Sequence, residues 1–234
     1  MNSLHEPPAM KIKICGITRR EDLLMGQRIG ADLLGFINIE RSPRNLELRK
    51  IRKLSDEAGE KAVLVLEPSD PQDVPAAVEK TGITRIQLHS VSASDLNRIK
   101  GILHDEGIMA EITVAVSPER DSFKDILELT RKSSGILLDS AIKGRTGGTG
   151  RRLRESAALK LLDEIRRRNP AVRVTLAGGL TPEFVKNRMA YVSRFDCLDF
   201  NSGIERAPGI KDHGRMIQLM DVIRNVRTDP VGNE

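Results

Sequence analysis

The feature that most constrains this chain is a series of eight short, β-branched, apolar stretches, each followed by a segment of helical period. They begin near Lys11 (KIKIC), Leu33 (LLGFI), Lys61 (KAVLVL), Arg85 (RIQL), Met109 (MAEITVAV), Gly135 (GILLD), Arg173 (RVTLA) and Arg194 (RFDCLDF). Successive starts lie 22, 28, 24, 24, 26, 38 and 21 residues apart. That spacing leaves room for one strand, one helix and two short loops. Alternation of this kind builds a parallel sheet covered by helices.

The segments between the runs, 46–58, 74–81, 93–103, 123–132 and 158–168, carry apolar residues at three and four spacing, which predicts amphipathic helices. Ser92 and Asp121 read as N-caps, and Pro182 after Thr181 reads as a first helical turn. No Pro/Ser-rich linker divides the chain. Eight βα units therefore predict an α/β chain folded as a single (β/α)8 TIM barrel over residues 11–226, with a disordered lead-in at 1–10 and a frayed tail at 227–234. A doubly wound open sheet is the competing architecture, and it normally carries a G-x-G-x-x-G turn after its first strand. Here that strand ends Cys15-Gly16-Ile17-Thr18. The glycine-dense stretch 144–150 (GRTGGTG) runs on into Arg151-Arg152, which is not a P-loop either.

Composition removes other classes. A chain of 234 residues can bury a core without staples, and two cysteines, Cys15 and Cys197, cannot form a disulfide framework. Its four histidines show no zinc-type spacing. No apolar run reaches the roughly 18 residues that span a bilayer, and the N-terminus lacks a secretory h-region, so a cytoplasmic protein with no membrane role is expected. The net charge of +5, from 38 basic and 33 acidic residues, favours anionic small molecules and is too mixed to imply nucleic acid. The basic clusters Arg151, Arg152, Arg154 and Arg166 to Arg168 read as solvated faces and a helix C-terminus. Oligomeric state is left open.

In a (β/α)8 barrel the active site forms at the C-terminal ends of the strands. Cys15 stands at the first of these, either as a thiolate base or nucleophile or as a small hydrophobe filling the strand end. Asp139 closes the apolar run Ile136-Leu137-Leu138, as an acid with a raised pKa or as a loop cap. Asp199 has the same two readings. Gln87 and His89 end the fourth run and serve either substrate or loop backbone. Gly178-Gly179 and Ser202-Gly203 follow the seventh and eighth runs, where barrels often hold a phosphate against backbone N–H groups.

Several motifs in order resemble the phosphoribosylanthranilate isomerase family of tryptophan biosynthesis. They are Lys13 to Thr18 (KICGIT), Gly30-Ala31-Asp32 with Gly35-Phe36, Ser42-Pro43-Arg44, Gln87-Leu88-His89, Leu138-Asp139 with Gly147 to Gly150 (GGTG), Leu176 to Leu180 (LAGGL), and Asp199 with Ser202-Gly203 and Pro208 to Asp212 (PGIKD). The resemblance implies an Amadori rearrangement of a small phosphoribosyl substrate, N-(5'-phosphoribosyl)anthranilate, to 1-(2-carboxyphenylamino)-1-deoxyribulose 5-phosphate. It further implies Asp139 as the acid that opens the sugar ring and Cys15 as the base at C2. Arg44 would pair with the anthranilate carboxylate. Gln87, His89, Gly148 and Asp199 would bind substrate, and Gly178, Gly179, Ser202 and Gly203 the phosphate. The iminium formed on ring opening is its own electron sink, so no metal or organic cofactor is called for. Asn38, Ser90, residues 152–155 (RLRE) and Asn201 depart from the family pattern, in loops expected to face the aromatic half of the substrate. Two other readings stand beside this one: a paralogous isomerase acting on the histidine-pathway intermediate, which typically uses two aspartates, and a noncatalytic barrel that binds a phosphorylated metabolite.

Overall fold

Eight parallel strands close on themselves in a computed structural model that describes residues 10–118, 121–139, 141–142, 151–152 and 155–228. The strands are β1 (Lys11–Ile14), β2 (Leu33–Asn38), β3 (Ala62–Leu66), β4 (Arg85–Leu88), β5 (Glu111–Val116), β6 (Gly135–Asp139), β7 (Arg173–Ala177) and β8 (Cys197–Phe200). Each pairs with its sequence neighbours, and β1 closes the ring on β8 with Lys13 beside Asp199. The helices are α1 (Arg20–Arg28), α2 (Leu48–Ala58), α3 (Asp73–Thr81), α4 (Ala93–Asp105), α5 (Phe123–Lys132), α6 (Glu155–Arg168), α7 (Pro182–Asn187), α8 (Met189–Val192) and α9 (His213–Thr228). Among the described residues, no helix is long and apolar enough to cross a membrane.

Strand side chains alternate between two environments. Ile12, Ile14, Leu34, Phe36, Leu64, Ile86, Val114, Leu138, Leu176 and Phe200 point outward and form the main core with the helices. Their neighbours in sequence point inward. There, Cys15, Ile37, Val63 and Val65 make one small cluster and Ala115, Leu137 and Ala177 another. Most of the other inward positions are polar, and Lys13, Gln87, Asp139 and Asp199 are the ones nearest the C-terminal ends of the strands.

Most expected boundaries agree with the structure, and the differences have physical causes; β8 starts at Cys197, three residues after Arg194, because the Arg194 and Phe195 amides first close α8 on the Tyr191 and Val192 carbonyls. β5 starts at Glu111, two residues after Met109, because Gly107 (φ +70°) and the Ile108 amide on the Leu103 carbonyl first close α4. The N-cap of α5 is Ser122, whose hydroxyl accepts the Asp125 amide; Asp121 instead accepts the Ser117 amide at 2.6 Å. Ser92 caps α4 in a reciprocal box with Asp95, and Thr181 caps α7 ahead of Pro182. The long interval after β6 accommodates a short antiparallel ribbon, Ala141–Ile142 against Arg151–Arg152. Residues 1–9 and 229–234 lie outside the described residues.

Candidate active site

The floor of the site follows from the sequence KIKIC. With Ile12 and Ile14 packed outward, Lys13 and Cys15 must point into the barrel. An ammonium there is tolerated only when paired. Lys13 Nζ donates to Asp199 Oδ2 at 2.9 Å and to Gln87 Oε1 at 2.5 Å, and Gln87 Nε2 lies 2.8 Å from His89 Nε2. Polar groups from β1, β8 and β4 thus form one connected layer under the mouth. Asp199 Oδ1 is buried with no hydrogen-bond partner among the described residues, an acceptor at the end of β8. Burial works against the charge of Lys13, but the Asp199 carboxylate outweighs it with help from Cys15, so the lysine stays protonated well above its ordinary range.

Cys15 sits on this layer, 4% exposed, its amide bonded to the Phe200 carbonyl at 2.8 Å. Burial pushes its thiol pKa up; Lys13 and Lys211 pull against that, and Asp199 adds to it. Gly35 on β2 makes room for it, since a Cβ there would fall 2.8 Å from Cys15 Sγ and 3.2 Å from Lys13 Cε. Gly16 follows at φ +72°, where a Cβ would meet the Arg44 Cδ and Asn201 Oδ1 atoms. Arg44 and Asn201 therefore lie over the backbone beside the thiol.

Arg44 is held by a carboxylate absent from the sequence-based list. Glu205 takes its guanidinium in a bidentate fork, Nε at 2.9 Å from Oε1 and Nη2 on Oε2. Glu205 also accepts Lys211 Nζ at 2.9 Å and the Gly209 amide at 3.2 Å, while Lys211 donates to Asn201 Oδ1 at 3.0 Å. Burial would raise the Glu205 pKa, and Arg44 and Lys211 together hold it below the usual carboxylate range. Burial depresses the Lys211 pKa, with Glu205 opposing.

Asp139 ends β6 beside Ala177 of β7, on the inward face it shares with Leu137. It stands three strands round the ring from Cys15 and is partly buried. The two glycine loops meet. Gly178 and Gly179 take φ of +105° and +64°, and the Leu180 carbonyl presses against Gly203 so closely that a Cβ there would lie 1.8 Å from its oxygen. Space against another backbone is thus what makes residue 203 a glycine. Gly148 lies outside the described residues.

The departures from the family pattern resolve unevenly. Asn38 points to the helix side of its strand, donating to the Leu46 carbonyl at 2.8 Å, and Asn201 is engaged by Lys211. Neither presents an apolar surface to a ligand. Ser90 adopts φ +56°, the left-handed region that glycine enters freely, with its hydroxyl on Glu67 Oε1 at 2.5 Å. Residues 153–154 are outside the described residues, as are the side chains of Arg151 and Arg152. Lys13, Glu205 and Lys211 were not identified as site residues from sequence. Strand alternation was a sufficient signal for Lys13; Glu205 and Lys211 depend on the course of a loop after β8.

A closed (β/α)8 barrel with a thiol, two carboxylates and a glycine-lined double loop at the C-terminal ends of its strands has the layout of a sugar-phosphate enzyme of this fold. The family model described as N-(5'phosphoribosyl)anthranilate (PRA) isomerase matches residues 12–222. The N-(5'-phosphoribosyl)anthranilate isomerase of Methanothermobacter marburgensis is 52% identical over 225 residues, 94% of this chain and 96% of that one. Among solved structures, phosphoribosyl anthranilate isomerase from Thermus thermophilus is 27% identical with a TM-score of 0.74, covering 93% of this chain and 100% of the other. A phosphoribosyl anthranilate isomerase in complex with reduced 1-(o-carboxyphenylamino)-1-deoxyribulose 5-phosphate is 26% identical with a TM-score of 0.72, covering 92% and 99%. The chain belongs to the N-(5'-phosphoribosyl)anthranilate isomerase family.

Proposed function

We propose that this chain performs the Amadori rearrangement of N-(5'-phosphoribosyl)anthranilate in tryptophan biosynthesis with Asp139 as general acid and Cys15 as general base. The observation that carries the assignment is the placement of a buried thiol and a carboxylate on separate strand ends of one mouth, above the Lys13–Asp199–Gln87 layer. Asp139 donates a proton to the ring oxygen as the C1–O bond breaks, and the anilino nitrogen lone pair forms the C1 iminium. The Cys15 thiolate then takes the proton from C2. The S–H bond forms, and the C–H electron pair becomes the C1–C2 double bond as the nitrogen recovers its lone pair. Tautomerisation of this enolamine, with protonation at C1 and loss of the hydroxyl proton at C2, leaves the ketone.

The remaining groups bind. Asp199 Oδ1, buried and without a partner among the described residues, accepts a hydrogen bond from a sugar hydroxyl. Gln87 and His89 line the β4 side. The loops at Gly178-Gly179 and Ser202-Gly203 hold the phosphate through backbone amides, where glycine permits close approach. Arg44 offers its remaining N–H donors to the anthranilate carboxylate while Glu205 fixes the opposite edge of the guanidinium.

Cys15→Ala and Asp139→Asn should each lower kcat about 10²-fold or more, the scale of general acid and base groups, with unchanged circular dichroism. Fluorescence decay of N-(5'-phosphoribosyl)anthranilate gives the rate directly. Near-wild-type turnover in either variant removes that residue from its role. Faster turnover of the bis-phosphorylated histidine-pathway intermediate by the wild type would replace the substrate assignment itself.

A further inference from the structure

A buried thiol is a poor base, because burial favours its neutral form. A neighbouring cation must offset that, and Lys13 is placed to do so. Its side chain is 3% exposed and locked by two hydrogen bonds, to Asp199 at 2.9 Å and Gln87 at 2.5 Å. An ammonium carries three N–H donors, so one is left over from these two bonds. Lys13 Cε and Cys15 Sγ both flank the space above Gly35, 3.2 and 2.8 Å from the point a Cβ there would occupy. Those two atoms are therefore no more than about 6 Å apart, and the ammonium one bond beyond Cε reaches the thiol as a hydrogen-bond donor, close enough for its charge to stabilise an ion.

We propose that Lys13 is a positioning residue for the base: its ammonium, fixed between Asp199 and Gln87 on the barrel floor, partly offsets the burial of Cys15 and favours its thiolate. This rests on Cys15 acting as the base. The other charged groups facing the thiol are Asp199 on β8, Lys211 in a short antiparallel ribbon after β8 (Glu205–Ala207 against Ile210–Lys211) and Arg44 after β2; Cys197 lies one inward position below Asp199 on β8, opposite Lys11. Asp199 opposes the thiolate, and Lys211 and Arg44 are both engaged by Glu205. Among these groups Lys13 exerts the largest pull toward the thiolate. Asp199 then has two tasks, keeping Lys13 charged through Oδ2 and leaving Oδ1 for the substrate.

The test is a thiolate titration that needs no substrate. The rate of alkylation by iodoacetamide is followed against pH, with Cys15→Ala supplying the background from Cys197. In Lys13→Met the midpoint should move up by about one pH unit or more, and the ascending limb of kcat against pH should move with it, while KM changes less than about threefold. Lys13→Arg, which keeps the charge, should restore most of the shift. Removing Lys13 alone leaves Asp199 buried without its partner, so Lys13→Met is also made in an Asp199→Asn background, read by alkylation only, where the midpoint should lie above that of Asp199→Asn alone. An unshifted midpoint in either folded variant overturns the proposal. Full turnover in Cys15→Ala is a different result, since it removes the base assignment whatever the titration shows.

Discussion

A methyl group at Gly203 would sit 1.8 Å from the Leu180 carbonyl oxygen and 2.7 Å from its carbon, so it has nowhere to go unless the loops after β7 and β8 part. Both loops belong to the proposed phosphate site. Gly203→Ala should therefore cost about 1–3 kcal/mol in chemical denaturation and raise KM for the phosphorylated substrate severalfold. Gly30, at φ +84° with nothing within 4 Å of its Cβ position, is the control. Gly30→Ala pays only backbone strain of about 1–2 kcal/mol and should leave KM unchanged. Equal KM in both variants would detach the Leu180–Gly203 contact from phosphate binding. At this scale, the ends of the strands were legible because inward positions alternate with core positions: Cys15, Gln87, Asp139 and Asp199 all fall where the period places them. What the period conceals is partnership. Nothing in the spacing of Arg44 and Glu205, 161 residues apart, signals their pairing. Ser90 shows the same limit, because its strained φ follows from the loop and its stabilising bond comes from Glu67 on another strand end.

The ends of β2, β3 and β4 are tied by Glu67, which follows β3. Its carboxylate takes both nitrogens of the Arg41 fork, Nε at 2.7 Å and Nη2 at 2.6 Å, and the Ser90 hydroxyl after His89. These bonds, Arg41 first, hold the Glu67 pKa at about 2, against 4.5 for a free glutamate. A depressed folded value means the stabilisation is complete above the unfolded pKa and fades as pH falls from about 4.5 toward 2. Because the Arg41 side chain is 63% exposed, the worth of the lock is no more than about 1 kcal/mol. Glu67→Gln should lose that amount at pH 6 and show a shallower decline in stability across the acid window; a decline as steep as wild type would mean another carboxylate governs it. Elements themselves were read well where an apolar stripe is continuous, as in α2 with Ile51, Leu54 and Ala58 buried. The start of β5 was read early for a local reason. Met109 is apolar in sequence and 88% exposed in the structure, an isolated residue on the turn that Gly107 closes before the strand.

At the scale of the whole molecule, a barrel must join its first unit to its last, and besides the β1–β8 ladder one buried carboxylate does so. Asp22 on α1 is fully buried, accepting Arg19 Nη2 at 2.7 Å and the Lys211 amide at 3.2 Å, with His213 Nε2 at 2.9 Å. Lys211 and His213 flank the entry to α9, so α1 is fastened to the segment that carries Glu205 and Lys211 over the site. The closed ring itself was legible in eight recurring strand–helix runs, since eight parallel strands have few other ways to bury both faces. This fastening was not, because a buried aspartate in α1 looks like a surface residue in a polar helix. Burial alone would raise the Asp22 pKa, but the bonds from Arg19, His213 and the Lys211 amide hold it below the ordinary carboxylate range. The sign follows: the stabilisation is full above the ordinary carboxylate pKa and is lost as pH falls through the lower folded value. Asp22→Asn keeps the shape and removes the charge, leaving Arg19 with a weakened partner, and Arg19 is partly solvated. The cost at neutral pH should be about 2 kcal/mol, below the range for a fully buried pair. Stability should depend less on pH in the acid range, and KM should rise as Lys211 and Glu205 lose their support. Native-state hydrogen exchange distinguishes this from a general weakening: the Lys211 amide and the first turn of α9 should open in Asp22→Asn while β4 and β5 keep their protection. Uniform loss of protection around the ring would show that Asp22 stabilises the barrel as a whole and does not act as its local clasp.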